Sequence, residues 1–134
     1  MPDGQKISWR DLIKGDVEFQ SDEIDDQVLL KSDGFPTYHL ANVVDDYLMK
    51  ISHVLRGEDW LSSTPKHLIL YQAFGWEPPQ FGHTPLILGP DKAKLSKRNG
   101  NTSLLYYKHE LGVHPMAMNH FMATLGWTPK EVKE

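Results

Sequence analysis

The sequence predicts an α/β fold, and three observations carry that prediction. Apolar residues recur at helical spacing between Thr37 and Leu48. Two short apolar runs, Ser52–Leu55 and Thr84–Leu88, flank a segment with helix start and stop signals. Beyond Gly100 the strand-like runs give way to leucine- and methionine-rich helical patterns.

At 134 residues the chain can bury one modest core or two packed pieces. With 40% hydrophobic and 24% charged residues it has the composition of a water-soluble globular protein. No apolar run approaches the ~20 residues that span a bilayer, so no membrane partner is expected. MPDGQKISWRDLIKGD lacks an apolar signal-peptide core. The absence of cysteine excludes disulfides and thiolate zinc sites, and permits a reducing compartment. A net charge of −4 does not attract nucleic acid to the chain as a whole. Phosphate contacts must come from local basic residues, and the cluster from Lys92 to Arg98 is the one candidate.

Taken in order, the stretch to Asp26 is polar and acidic and reads as a solvated surface segment. Val28-Leu29-Leu30, closed by Asp33-Gly34, reads as a strand and turn. Leu40, Val43, Val44, Tyr47 and Leu48 form the apolar stripe of a helix, with Asp45 and Asp46 mostly off it. Ser52–Leu55 is a buried strand ending at Arg56-Gly57. Ser62-Ser63-Thr64-Pro65 offers a hydroxyl cap and a proline at a helix start, and Gly75 a natural stop. Thr84–Leu88 is a second strand ending at Gly89-Pro90. Strand, helix and strand with short connections predict a right-handed parallel βαβ unit. Thr102 or Ser103 caps a helix to Leu111, stopped by Gly112. Pro115 opens another to Leu125, stopped by Gly126, with Met116, Met118 and Met122 expected as core filler.

Ligands of open parallel sheets bind beyond the carboxyl ends of the strands. There lie Arg56-Gly57-Glu58-Asp59-Trp60 and the run from Gly89 to Gly100, expected to face one crevice. In the second, Lys94 and Lys97 flank Ser96 in KLSKR, and Gly100 lends the loop freedom. Lysines neutralise charge developing on phosphate oxygens, and Ser96 can donate a hydrogen bond. A solvated basic turn is the plainer alternative. Arg56 can fork two parallel hydrogen bonds to a carboxylate, or form an ion pair with Glu58 or Asp59. Tyr38 and Asn42 share a helix face and can address one ligand. His39, His53, His67 and His83 have no metal-ligand spacing, and His83 reads as structural or surface.

KLSKR resembles the KMSKS-type signature of class I aminoacyl-tRNA synthetases, in the K-x-S-K-R form common among glutamyl enzymes. The stretch from Leu29 to Trp76, LLKSDGFPTYHLANVVDDYLMKISHVLRGEDWLSSTPKHLILYQAFGW, is similar to glutamyl-tRNA synthetases almost without interruption. The resemblance covers nearly the whole chain. It implies the second half of a class I synthetase Rossmann-like nucleotide-binding fold, followed by the start of a helical stem-contact region. Residues 1–31 would end an acceptor-stem-binding insertion, 32–91 form the half-fold, and 92–134 hold the KLSKR loop and first stem-contact helices.

The resemblance also implies roles. Tyr38, Asn42 and Arg56 match glutamate-binding positions, with Arg56 on the side-chain carboxylate. Glu58, Asp59, Trp60, Leu86, Ile87, Leu88, Lys94 and Lys97 match the ATP site, and Lys94, Ser96 and Lys97 the catalytic loop. The implied activity is ATP-dependent attachment of glutamate to tRNA(Glu) through glutamyl-adenylate, with Mg2+ arriving on ATP and no protein-bound metal. The implied setting is cytoplasmic, or the mitochondrial matrix for an organellar enzyme. The chain departs from the family in lacking a HIGH-type motif. By that comparison it is a fragment, expected to be inactive alone and prone to self-association. A non-catalytic binding fragment, or a relative that glutamylates queuosine in tRNA, are the alternatives.

Overall fold

The computed structural model of the chain describes residues 4–89, 92–95 and 103–125. Contacts divide it into two compact units, residues 1–86 and 87–134.

The first unit opens with an antiparallel hairpin of β1 (Lys6–Asp11) and β2 (Gly15–Gln20), in register from Lys6 opposite Gln20 to Asp11 opposite Gly15. The expectation of a solvated surface segment named no strand here, and the structure supplies two. Ile7, Trp9, Val17 and Phe19 alternate with polar residues, which is the period of a half-buried ribbon. Trp9 and Phe19 stack across the strands at 5.9 Å. Gly15 makes the turn at φ 80°.

The expected strand at Val28–Leu30 is not a strand. Leu30 makes one isolated bridge to Pro36 around a tight loop, because Pro36 has no N–H to extend a ladder. Helix α1 (Tyr38–Leu48) follows, with Thr37 at its N-cap. Strand β3 (His53–Gly57) leads through a 3-10 segment, Glu58–Ser63, into α2 (Thr64–Phe74). Gly75 closes α2 at φ 69°, donating to Gln72 O while Trp76 N–H donates to Tyr71 O. The core lies where Val43 of α1 meets Leu70 and Tyr71 of α2, with Leu29 and Trp76 packed against it. Tyr47 stacks on Trp76 at 3.9 Å.

The second strand is β4 (Gln80–Thr84), earlier than the expected Thr84–Leu88. It pairs in parallel with β3, from His53 opposite Gln80 to Gly57 opposite Thr84. Strand, helix and parallel strand are therefore present, but the buried residues are Phe81, Gly82 and His83. Pro85 ends the ladder before Leu86, Ile87 and Leu88, which stay partly or largely exposed. The hairpin joins β4 through Leu12 N–H to Phe81 O at 2.8 Å. Gly82 makes room for the Leu55 side chain of β3, since a Cβ there would stand 2.7 Å from Leu55 Cδ2, while Leu12 Cβ would lie in ordinary contact at 3.4 Å.

In the second unit Leu88 bridges Lys94 across a turn in which Lys92 takes φ 58°. Helices α3 (Leu104–His109) and α4 (Pro115–Thr124) follow, with Ser103 at the first N-cap position without a side-chain bond and His114 capping the second by accepting from Met116 N–H. Gly112 separates them at φ 64°. Neither helix has a buried residue. Met116 and Met122 are exposed, against the expectation of core filler. Two helices of two to three turns provide too little facing surface to enclose them.

Candidate active site

The site grows from the end of β3. Arg56 stands inside the strand, in register with His83 of β4, and not after the strand as expected. Its half-buried side chain runs over the Phe81 ring, with Cζ 5.7 Å from the centroid. Nε donates to His83 Nε2 at 3.1 Å. Nη2 donates to Thr64 Oγ1 at 2.9 Å and contacts Trp60 O at 3.3 Å. Nη1 is buried and has no hydrogen-bond partner. Burial pushes the Arg56 guanidinium below its ordinary value, while Tyr38, Asp46 and Asp11 act to keep its proton.

The chain thus occupies the Nε–Nη2 edge of the fork; Nη1 makes no bond of normal geometry, although the Tyr38 hydroxyl lies close enough to help hold the guanidinium proton. A carboxylate cannot be gripped by the Nε–Nη2 pair, which refines the expectation of a free fork. Glu58, one alternative partner for Arg56, is engaged elsewhere. One of its oxygens pairs with Lys14 and the other accepts from Leu86 N–H at 3.2 Å. The Lys14 bond leads the causes holding its carboxyl below the usual range.

Tyr38 and Asn42 both lie on α1, Tyr38 in its first turn and half-exposed, Asn42 partly buried. The structure brings Tyr38 to Trp60, with ring centroids 4.8 Å apart. That contact places the Tyr38–Trp60 pair and the Arg56–Trp60 bond around one residue. Asp59 and Trp60 are in the 3-10 segment that links β3 to α2. Leu86 closes the first unit, whereas Ile87, Leu88 and Lys94 belong to the second. Ser96 and Lys97 lie outside the described residues.

Several residues around Arg56 carried no signal in the sequence. Asp11, Thr64, His67 and His83 are all fully or almost fully buried. Asp11 Oδ2 meets His83 Nδ1 at 2.5 Å, and Oδ1 accepts from His83 N–H at 3.1 Å. His83 is thus structural and not on the surface. Burial would raise the Asp11 carboxyl, but bonds from His83, Lys14 and Ile13 outweigh it and hold the group well below the usual carboxylate range. His39 Nδ1 and His67 Nε2 share a hydrogen bond at 3.0 Å. Burial first, then the Arg56 charge, depresses His67 to about 3; burial also lowers His39. Both rings are therefore neutral near pH 7. Tyr71, its hydroxyl buried without a partner, is pushed up to about 12 by burial and by Asp46. The one sequence cue was that QFGHT, a polar-looking run, follows a Pro-Pro turn and precedes another proline.

A separate groove of about 280 Å³ is lined by Asp25, Asp26, Leu29, His39, Lys66 and Ile69 among others. Arg56 is not on its walls, and its two carboxylates outnumber its one ammonium.

Comparison with known proteins places this geometry. The family described as tRNA synthetases class I (E and Q), catalytic domain, matches residues 1–134. A glutamate–tRNA ligase of Clostridioides difficile is 53% identical over 134 residues, all of this chain and 27% of the relative. That of Chlamydia muridarum is 61% identical over 120 residues, 90% of this chain and 24% of the relative. A solved glutamate-tRNA synthetase from Elizabethkingia anophelis superposes with a TM-score of 0.86 at 42% identity, covering 97% of this chain and 30% of its own. A glutamate tRNA ligase from Elizabethkingia meningosepticum, solved in complex with its amino acid, gives 0.72 at 51% identity, covering 75% and 20%. The chain spans about a quarter of the length of the curated relatives it matches. From its sequence and its fold alike, the chain belongs to the catalytic domain of the class I tRNA synthetases of the E and Q group.

Proposed function

We propose that the full-length protein carrying this segment attaches glutamate to tRNA(Glu) through a glutamyl-adenylate. The observation that carries the reading is Arg56, a half-buried guanidinium with Nη1 unpartnered and Tyr38 and Trp60 beside it. A desolvated cation with an uncommitted donor suits an anionic carboxylate, because charge-assisted bonds are strongest where water is excluded. In this reading Tyr38, Asn42 and Arg56 bind glutamate, Arg56 taking its side-chain carboxylate through Nη1. The other carboxylate attacks the α-phosphorus of ATP and pyrophosphate leaves; a ribose hydroxyl of the terminal adenosine of tRNA then attacks the acyl carbon, and AMP leaves.

Lys94, Ser96 and Lys97 are assigned to charge developing on the phosphates. Glu58, Asp59, Trp60 and Leu86–Leu88 are assigned to the ATP side. For Glu58 the role is indirect, since Lys14 and Leu86 already engage its carboxylate. Mg2+ belongs to the proposal only as the ion that accompanies ATP. Among the described residues no three acidic, histidine or cysteine side chains gather as a metal site, and no step is assigned to the ion. The proposal extends to residues 1–31 as the end of a stem-binding insertion, 92–134 as the start of a stem-contact region, and a cytoplasmic setting. It also holds that the isolated chain self-associates, since Leu104, Leu105, Met116 and Phe121 are exposed.

The test is Arg56→Ala in the full-length protein. The Michaelis constant for glutamate should rise by about a hundredfold or more, with that for ATP nearly unchanged. An equal loss of ATP affinity would mark Arg56 as a structural residue.

A further inference from the structure

We propose that Asp11 and His83 are positioning residues for Arg56: Asp11 fixes the His83 tautomer, and His83 fixes which edge of the guanidinium meets the ligand. The inference rests on the reading of Arg56 as the carboxylate-binding group.

The argument starts at the tip of the β1–β2 hairpin. Asp11 Oδ1 accepts from Ile13 N–H and Lys14 N–H, both at 3.0 Å, and from His83 N–H at 3.1 Å. With three backbone donors on one oxygen, the carboxylate cannot rotate without losing all of them. Oδ2 is thereby aimed at His83 Nδ1, 2.5 Å away, in a pair with no exposed side-chain surface. An ionised carboxylate only accepts, so Nδ1 must carry the hydrogen. A neutral imidazole protonated on Nδ1 presents a lone pair on Nε2. That lone pair faces Arg56 Nε–H at 3.1 Å, with Thr64 Oγ1 at 3.2 Å. Thr64 in turn accepts from Arg56 Nη2.

The acceptors therefore commit Nε and Nη2 to the chain, and Nη1, buried here without a hydrogen bond, is the one guanidinium nitrogen left for a ligand to take. The opposite tautomer would set Nε2–H against Arg56 Nε–H, donor against donor. The guanidinium could then keep its place only by losing a buried hydrogen bond, or would have to rotate. None of these three side chains needs to touch a ligand.

Asp11→Asn in the full-length protein tests the relay. The three backbone donors retain the amide oxygen, so the amide NH2 faces His83 Nδ1 and forces the hydrogen onto Nε2. Histidine 15N NMR should report Nδ1–H for His83 in the unaltered protein and Nε2–H in the variant. The Michaelis constant for glutamate should rise about tenfold or more, with that for ATP within about twofold. Thr64→Val, which removes the Nη2 acceptor, should shift the same ratio in the same direction and serves if Asp11→Asn does not fold.

An Nε2–H tautomer in the unaltered protein would overturn the proposal. So would a parallel rise in both Michaelis constants, which marks a merely structural role. A glutamate constant unchanged in Asp11→Asn and Thr64→Val, while Arg56→Ala raises it, would overturn the relay and leave the carboxylate reading standing. If Arg56→Ala itself spares glutamate, that reading falls, and the tautomer measurement alone decides whether Asp11 sets His83.

Discussion

His67 of α2 is buried against His39 of α1, and its burial makes it one acid-sensitive group of the first unit. His67 is 1% exposed, bonds to His39, and is depressed from 6.5 to about 3 by burial and by Arg56. The unfolded chain binds the His67 proton near pH 6.5, whereas the folded chain resists it down to about 3. The unfolded state thus holds more protons across that window, and stability falls as pH drops through it. Between pH 7 and pH 5 the loss from this group should be about 2 kcal/mol. Denaturant titrations at the two pH values should show it, and His67→Gln should flatten the difference. An unchanged slope in the variant would assign the acid sensitivity to other groups. Arg56 could be picked out from the sequence as a charge close to a strand end, and Tyr38 through the family resemblance of the segment that holds it. Asp11, His83 and His67 could not, since their character depends on partners brought together by folding. A histidine that reads as surface becomes a buried acceptor only when a carboxylate 72 positions away closes on it.

At the scale of elements, helix ends were the most legible parts. Thr37, Ser103 and Pro115 start helices, and Gly75 and Gly112 follow their ends, as their backbone preferences require. Strands were less so. QFGHT contains no β-branched aliphatic residue, yet it is the more buried strand of its pair, because Gly82 leaves room for Leu55 and Asp11 satisfies His83. The leucine-rich run after it reads as a strand but follows a proline that cannot extend the ladder. The hairpin was missed because its polar outward residues mask a period-two alternation. The two helix ends invite a paired experiment. Gly75 ends α2 at φ 69° with open space around a would-be Cβ, and Lys50 takes φ 56° after α1. Gly75→Ala should cost about 1 kcal/mol through the left-handed backbone alone. Lys50→Gly should be neutral or stabilising by up to about 1 kcal/mol, as relief of that strain offsets the greater freedom of the unfolded chain. Chemical denaturation measures both, and a loss of stability in Lys50→Gly would show that the Lys50 side chain contributes more than its backbone costs.

For the whole molecule, the two units differ in how far each is stabilised from within. The first has a hydrophobic centre, a parallel strand pair and a docked hairpin; the second has short helices with no buried residue. The glutamate-binding candidates lie in the first and Lys94 in the second. The expectation that follows from the proposed function is that the 134-residue chain alone does not charge tRNA, since attack on ATP requires reacting groups aligned from all sides. Aminoacylation by the purified chain should be at background, with full-length protein as the positive control. Charging that persists and disappears in Lys97→Ala would show that the chain holds a complete site.

The Asp11–His83 bond also has a consequence in time. Because 72 positions separate its partners, synthesis at about 5–20 residues per second delivers the histidine roughly 4 to 14 s after the aspartate. During that interval the hairpin is a local structure able to form in microseconds, with an acid at its tip still facing water. In the proposed relay the Arg56 edge can be set only when β4 arrives, so the hairpin must wait for its partner and the proposed carboxylate site cannot be complete before His83 is made.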